Sequence, residues 1–543
     1  MSIGTTTARA SLATAVALTL AAVAQQLLLV AGLGALLPGW QPWPFLLAAA
    51  PAWWLARPLW AHADLPRPTA RAIRALHRIP PPVYLATVLA LATAAWAVLQ
   101  QHEPYLGHEE AVYANKARAW TDGTPDAGWG EYRPPGLPAL GRLALALHND
   151  VGSLRTTALL LTLFTLTATY LTAARWTTPR RAVVVTLLLL SGLGFLRRVP
   201  QFLNDIGATG LLLIVVFLLT RAQEVRRSRA LPLAAAVAVA AFYLRYGSTG
   251  NLLAIALAAL FAYGPRAWLA QGRRLAAALA VLALGLLPHF VHATQVTGSP
   301  FGLILWAGTQ ANRVYVGDGL VYYLAIFPYR LAGDLGAVVM TAGLLLAASA
   351  LRTRGDSARS ARRVFLASTA VLILVVLGLA TDGEPRFVYL SVILLTILGV
   401  EAVAERTGPW RKGALTAVAA LAALTTAGTT QVVAHGAMPG PTNLARSTVP
   451  VAEDLTSNSP CLLVTGYEPE AGWYSGCDAV TYAQYARTPP PPKTRVTLLL
   501  FDHGRLQPGP AALSRLIGDR ATRVRTIPTE GALGEARAIT LLP

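Results

Sequence analysis

Long apolar runs recur along most of this chain, separated by short connectors rich in arginine. A run of roughly 20 apolar residues is what an α-helix needs to cross a bilayer. Inside hydrocarbon every backbone N–H and C=O must find its partner within the protein, and a helix does this by itself. The runs are Leu12 to Leu37, Phe45 to Trp60, Val83 to Leu99, Thr156 to Ala174, Ala182 to Leu196, Ile206 to Thr220 and Leu231 to Tyr243. They continue with Leu252 to Tyr263, Leu275 to Val291, Leu335 to Leu351, Val364 to Leu379, Phe387 to Ala404 and Ala414 to Val433. The first is too long for the apolar core of a cleavable signal and reads as a retained span. The expected fold is a polytopic α-helical membrane protein with about 13 transmembrane helices. Composition agrees: 54% of the 543 residues are hydrophobic and 13% are charged, against about a quarter charged in a soluble domain.

The formal net charge of +19 would suggest nucleic acid in a soluble protein. Here the arginines sit in short connectors beside apolar runs, the pattern of topology signals, and no basic-aromatic stripe of nucleic-acid type occurs. With the N-terminus in the cytoplasm, the even-numbered connectors face inward. They carry Arg67/Arg71/Arg74/Arg78, Arg175/Arg180/Arg181, Arg221/Arg226/Arg227/Arg229, Arg266/Arg273/Arg274, Arg352/Arg354/Arg359/Arg362/Arg363 and Arg406/Arg411/Lys412. The opposite connectors hold the carboxylates, the aromatics and isolated arginines. The chemistry-bearing face and the C-terminal segment are therefore expected outside a plasma membrane.

From about His435, Pro, Gly, Ser and charge become common and apolar runs shrink to strand length. Cys461 to Thr465, Arg495 to Phe501, Arg523 to Ile527 and Ala538 to Leu542 read as strands, Pro510 to Ile517 as a helix, and Pro489 to Pro492 as a stiff connector. These predict a small extracytoplasmic α/β domain over 434–543. The only two cysteines, Cys461 and Cys477, both fall in it. Outside the cytoplasm they suggest a disulfide, against two unrelated buried thiols. The Trp473–Tyr474 pair between them could stack on sugar but reads better as packing.

One polar stretch stands out, from His108 to Leu140 within an outer loop over 101–154. It carries Glu109, Glu110, Asp122, Asp126, Glu131, Lys116, Arg118 and Arg133, and runs into Arg133-Pro-Pro-Gly. If Glu109 to Trp120 is helical, Glu109, Val112/Tyr113, Lys116 and Trp120 share one face. Glu110 lies about 100° away, so only one of the two glutamates is central to a single site. Other outer connectors add Tyr243-Leu-Arg245-Tyr246, the group Arg197, Arg198, Asn204 and Asp205, and Glu384-Pro-Arg386-Phe. Arg245 could snorkel to the interface or hold a phosphate. His289 and His292 could bind a metal but read better as interfacial hydrogen-bonders.

Acidic residues and isolated arginines on an outward face, with no nucleotide-binding loop, suit transfer of a sugar from a lipid-linked donor. The departing polyprenyl phosphate wants arginine or a divalent cation, and the attacking hydroxyl wants a carboxylate base. A transporter or flippase would place charges mid-span, and these spans are nearly charge-free at their centres. A ligand sensor would want a cytoplasmic signalling module, and the inner connectors are short.

The stretch Glu109-Glu110-Ala-Val-Tyr113-Ala114, then Gly123, then Tyr132-Arg133-Pro134-Pro135 resembles the first outer loop of GT-C glycosyltransferases. It is most similar to the lipid A aminoarabinose transferase and protein O-mannosyltransferase-like group. Weaker similarity lies in Pro288 to Pro300, in Leu244-Arg245 and in Glu384-Pro-Arg386-Phe. The resemblance covers roughly 82–433, the implied catalytic membrane domain, and leaves two spans and a basic connector in 1–81 unexplained. It implies an inverting transfer with an acidic base at Glu109, where the group usually has Asp, with Glu110 as the other candidate. It implies that Arg245, Arg386 and Arg133 hold the polyprenyl phosphate, and Tyr113, Lys116, Tyr246 and Glu384 complete the expected substrate-binding residues. The implied partners are a polyprenyl-phosphate sugar donor and a glycan, glycolipid or protein hydroxyl as acceptor. A divalent cation (Mg, Mn or Zn) occurs in such groups, but the sequence requires no metal ligand.

Overall fold

The computed structural model describes residues 5–33, 45–60, 66–225, 228–310, 313–326, 329–353, 355, 357–435, 442–457, 460–488, 490 and 494–542. Arg226, Arg227 and Arg354, the end of the first run at Leu37, and Pro489, Pro491 and Pro492 of the stiff connector lie outside them. By its contacts the chain forms two compact units. One comprises Met1–Leu99, Leu159–Val199 and Asn204–His435, the other Gln100–Ala158, Pro200–Leu203 and Gly436–Pro543.

The first unit is a helical bundle. Among the described residues of the chain, nine helices are long and apolar enough to cross a membrane. The other expected spans fall on the shorter helices Phe45–Leu55, Pro179–Ser191, Ala230–Leu244 and Ser248–Tyr263. The Pro385–Arg406 segment is the most buried of these nine, with 89% of its apolar stretch buried within the protein. Close approach there depends on small residues. A Cβ on Gly399 would collide with the Val339 carbonyl oxygen, and one on Gly343 would collide with that of Leu395. Helices Tyr329–Arg352 and Tyr389–Arg406 thus meet backbone to backbone, as small residues allow in membranes. At the arginine-rich helix ends, Glu224 pairs with Arg175 and Arg362, and Glu401 and Glu405 pair with Arg359 and Arg363.

The second unit is built on a five-stranded sheet in the order β2-β1-β3-β5-β4. The strands are β1 (Cys461–Val464), β2 (Asp478–Val480), β3 (Arg495–Phe501), β4 (Thr522–Ile527) and β5 (Ala536–Leu541). β1 pairs in parallel with β2 and β3, while β5 runs antiparallel to both β3 and β4. One sheet face packs Leu463, Leu499, Ala538 and Tyr467, the other Leu462, Val464, Leu498 and Tyr485. The edge strand β4 is exposed except at Ile527. Cys461 and Cys477 form a disulfide, with an S–S distance of 2.11 Å. The sequence expectation omits β2 and the helices Thr442–Asp454, Glu468–Ser475 and Tyr482–Arg487, all of which the structure contains. The polar loop 101–154, assigned by sequence to the membrane domain, belongs to this second unit.

Candidate active site

In the second unit the helix His108–Asp122 carries the polar loop's chemistry. Gly107 enters it in an extended conformation, and Gly123, at φ 79°, ends it in the left-handed region that glycine adopts without a Cβ clash. Its buried face is Glu110 to Asn115 together with Ala117. Asn115 donates through Nδ2 to the carbonyls of Ala127 (3.0 Å) and Pro469 (2.9 Å). Arg118 donates to the carbonyls of Trp473 (2.8 Å) and Gly472 (2.9 Å), and its guanidinium lies 4.4 Å from the Trp473 ring centroid. Burial lowers the pKa of Arg118, against the pull of Asp122. The helix is thereby fastened to Glu468–Ser475. Trp473 and Tyr474 are packing residues, Tyr474 accepting from the Leu106 N–H at 2.7 Å.

The two adjacent glutamates have opposite surroundings. Glu110 is 4% exposed. Its Oε2 accepts from the Gly107 N–H at 3.0 Å, closing the first turn, and its Oε1 accepts from the Phe202 N–H at 2.8 Å. Arg155, itself 2% exposed, brings Nη2 to 3.6 Å from Glu110 Oε2 and donates to the Tyr105 carbonyl. This carboxylate is consumed by structure. Glu109 is only half-buried and sits in the field of Arg133. Arg133 stacks over Tyr113 (5.6 Å) and Tyr132 (5.4 Å). Burial works against its charge, but Tyr113, Tyr132 and Glu109 outweigh that and its pKa is raised. Tyr113 meets Trp129 edge to face at 6.2 Å. Lys116 is committed elsewhere, donating to Asp126 at 2.7 Å and lying 5.2 Å from the Trp129 centroid. The structure therefore groups Glu109, Tyr113 and Arg133 and gives Lys116 and Glu110 partners of their own.

In the first unit a second group forms around Asp205, which the sequence marks as one of a polar cluster without assigning it to the site. Asp205 opens the helix Asn204–Glu224, and its side chain is 5% exposed. Arg245, at the extended C-cap of helix Ala230–Leu244, brings Nη2 to 3.1 Å from Asp205 Oδ1. Arg386, on the short turn Pro385–Val388, reaches Asp205 Oδ2 at 3.6 Å and pairs with Glu384. Phe387 packs beneath both guanidiniums, 4.6 Å from Arg245 and 5.5 Å from Arg386. Tyr323 donates to the Glu384 carbonyl at 3.2 Å, and burial pushes its phenol up to about 12. Two fixed guanidiniums over one aromatic floor present planar donors suited to a phosphate. Tyr246 is 5% exposed and packs against Phe242 (5.0 Å) and His289 (4.9 Å). Among the described residues His289 makes no ring hydrogen bond, which corrects the expectation of an interfacial hydrogen-bonder. Its ring is held instead among Phe242, Tyr246 and Phe290. Among the described residues no group of three or more His, Cys, Asp or Glu could hold a metal ion.

The family model described as dolichyl-phosphate-mannose-protein mannosyltransferase matches residues 132–292. That stretch contains Arg133 and Arg245 but neither glutamate. The fold is similar to the crystal structure of ArnT from Cupriavidus metallidurans bound to undecaprenyl phosphate, with TM-score 0.63 and 14% identity, covering 84% of this chain and 98% of that one. It is also similar to the apo oligosaccharyltransferase of Archaeoglobus fulgidus, with TM-score 0.54 and 12% identity, covering 77% of this chain and 70% of that one. No curated protein matches the chain by sequence.

Proposed function

Because this chain is a multi-pass membrane protein with the GT-C glycosyltransferase fold, similar to the ArnT and mannosyltransferase-like group, we propose that it moves a sugar from a polyprenyl-phosphate donor to an acceptor hydroxyl. The reading places this outside the plasma membrane, where the donor arrives already activated and no nucleotide is needed. Glu109 is the base. It takes the acceptor proton as the hydroxyl oxygen attacks the anomeric carbon from the face opposite the phosphate, so configuration inverts. The carbon–oxygen bond to phosphate breaks, and the polyprenyl phosphate leaves with the electron pair. Arg245 and Arg386 hold that phosphate, and Glu384 and Asp205 keep the two guanidiniums in place. Arg133 and Tyr113 set the orientation and charge of Glu109. The acceptor is a glycan, a glycolipid or a protein hydroxyl. The reading does not require a divalent cation.

The observation that carries this reading is the contrast within one helical turn. Glu110 is bonded to backbone donors and faces Arg155, whereas Glu109 is half-buried beside Arg133. The test is Glu109→Gln, assayed with polyprenyl-phosphate sugars. A positioned general base contributes about 10²- to 10⁴-fold, so transfer should fall by that much while donor binding and thermal stability hold. Full activity in this variant would remove Glu109 from the base role.

A further inference from the structure

The helix Tyr329–Arg352 is interrupted at Gly333, whose φ of 72° and ψ of 178° are not helical. The residue after the break is Asp334, 6% exposed inside a bundle otherwise poor in charge. It lines a small cavity of about 20 Å³ with Gln25, Gln26, Ser191, Thr425 and Thr429. These come from separate helices: Thr5–Val30, Pro179–Ser191 and Arg411–Ala434. Gln25 and Gln26 are 4% and 7% exposed. Three buried oxygens here have no hydrogen-bond partner among the described residues: Asp334 Oδ1, Gln25 Oε1 and Gln26 Oε1. The Gln26 amide lies at a close approach of two helices, where a Cβ on Gly428 would collide with its oxygen.

An ionised carboxylate away from water is costly unless a positive group compensates it. Among the described residues no Lys or Arg lines this cavity. A bound water could supply two protons, one fewer than the unpartnered oxygens require. The cavity is large enough for one water or one small ion, since about 10–15 Å³ of such space suffices. A helix broken within a membrane bundle also frees backbone carbonyls, and such breaks coordinate sodium in other membrane folds. The donor set is all oxygen, carries a single negative charge and includes no imidazole or thiolate. That chemistry fits a hard monovalent ion and neither zinc nor a divalent ion.

We propose that Asp334, Gln25, Gln26 and the Thr425 and Thr429 hydroxyls form a binding site for a monovalent cation of sodium size. The site gives the N-terminal helix Thr5–Val30 a function: it supplies two ligands and is clamped to the bundle when the ion binds. The proposal is independent of the glycosyl-transfer reading and is tested without an activity assay. The full-length protein in nanodiscs is melted in sodium chloride and in choline chloride at equal ionic strength, with potassium and lithium as further arms. Sodium should raise Tm by about 3 °C or more as its concentration passes through the dissociation constant. Asp334→Asn is isosteric and removes the buried charge, so it should fold, melt no lower in choline and lose the sodium response. Gln26→Leu should fold and raise the half-saturating sodium concentration about tenfold. Identical melting curves in sodium and choline would overturn the site, as would a sodium response that survives Asp334→Asn. A stability that tracks pH while ignoring sodium would overturn it too, showing that a proton alone compensates the carboxylate.

Discussion

Deleting the carboxylate of Glu110 should damage the fold, whereas neutralising Glu109 should damage only the reaction. Glu110→Ala leaves the buried Arg155 guanidinium uncompensated and strips two backbone N–H groups of their acceptor. Breaking a buried pair from one side typically costs about 3–5 kcal/mol. Thermal unfolding of Glu110→Ala beside Glu109→Gln checks the contrast: only the first should lower Tm. Glu468 supplies a pH dependence. Burial raises its pKa above the ordinary 4.5, with Glu470 adding to the shift and His108 and Arg505 opposing it. A carboxylate whose folded pKa exceeds its unfolded value holds its proton longer in the folded state. Stability is therefore full below about pH 4.5 and is lost as pH climbs through the raised value. Glu468 Oε2 is also buried with no hydrogen-bond partner among the described residues. Glu468→Gln should flatten the pH profile of unfolding and raise stability at neutral pH. Little of this is visible in sequence. The adjacent positions of Glu109 and Glu110 show that they point apart, but not that Arg155 and the Phe202 N–H claim one of them. Asp205 gives no sequence signal of its role, because the two arginines it joins come from distant connectors.

At the scale of elements, the meeting of helices Tyr329–Arg352 and Tyr389–Arg406 is the most sensitive packing contact. Gly399→Val would drive a branched side chain into the Val339 carbonyl. Overpacking of this kind costs about 1–3 kcal/mol or more, and the two helices would have to separate. A drop in Tm with retained insertion is the expected result, and an unchanged melt would mean that the contact yields freely. The apolar runs are legible in sequence because hydrocarbon imposes one solution on each of them. Strands β1, β3, β4 and β5 are legible from short apolar runs between turn residues. β2 is not, because it has no run to show: Asp478–Val480 is three residues long and directly follows Cys477. Helix Thr442–Asp454 contains Pro450, which argues against a helix by propensity; packing on helix Glu468–Ser475 overrides it.

For the whole molecule, orientation is the prediction that matters most. A cysteine-labelling reagent that cannot cross membranes should reach a cysteine placed at Thr124 and miss one at Ser228; labelling at Ser228 alone would reverse the topology. Background is low, since among the described residues no cysteine is free. The division of the chain into spans and a C-terminal α/β segment can be read from composition. The grouping of the polar loop with the distant C-terminal sheet cannot, because it rests on Asn115 and Arg118 bonding to backbone carbonyls more than three hundred residues away.

Strand β4 closes one side of the sheet with Arg523 and Arg525 among its exposed residues, and Arg525 pairs with Asp454. An open strand margin offers unpaired N–H and C=O groups to any neighbouring copy, and charged side chains make that stacking unfavourable. Exchanging both arginines for valine should make the chain self-associate through its sheet domain, without touching either group of site residues.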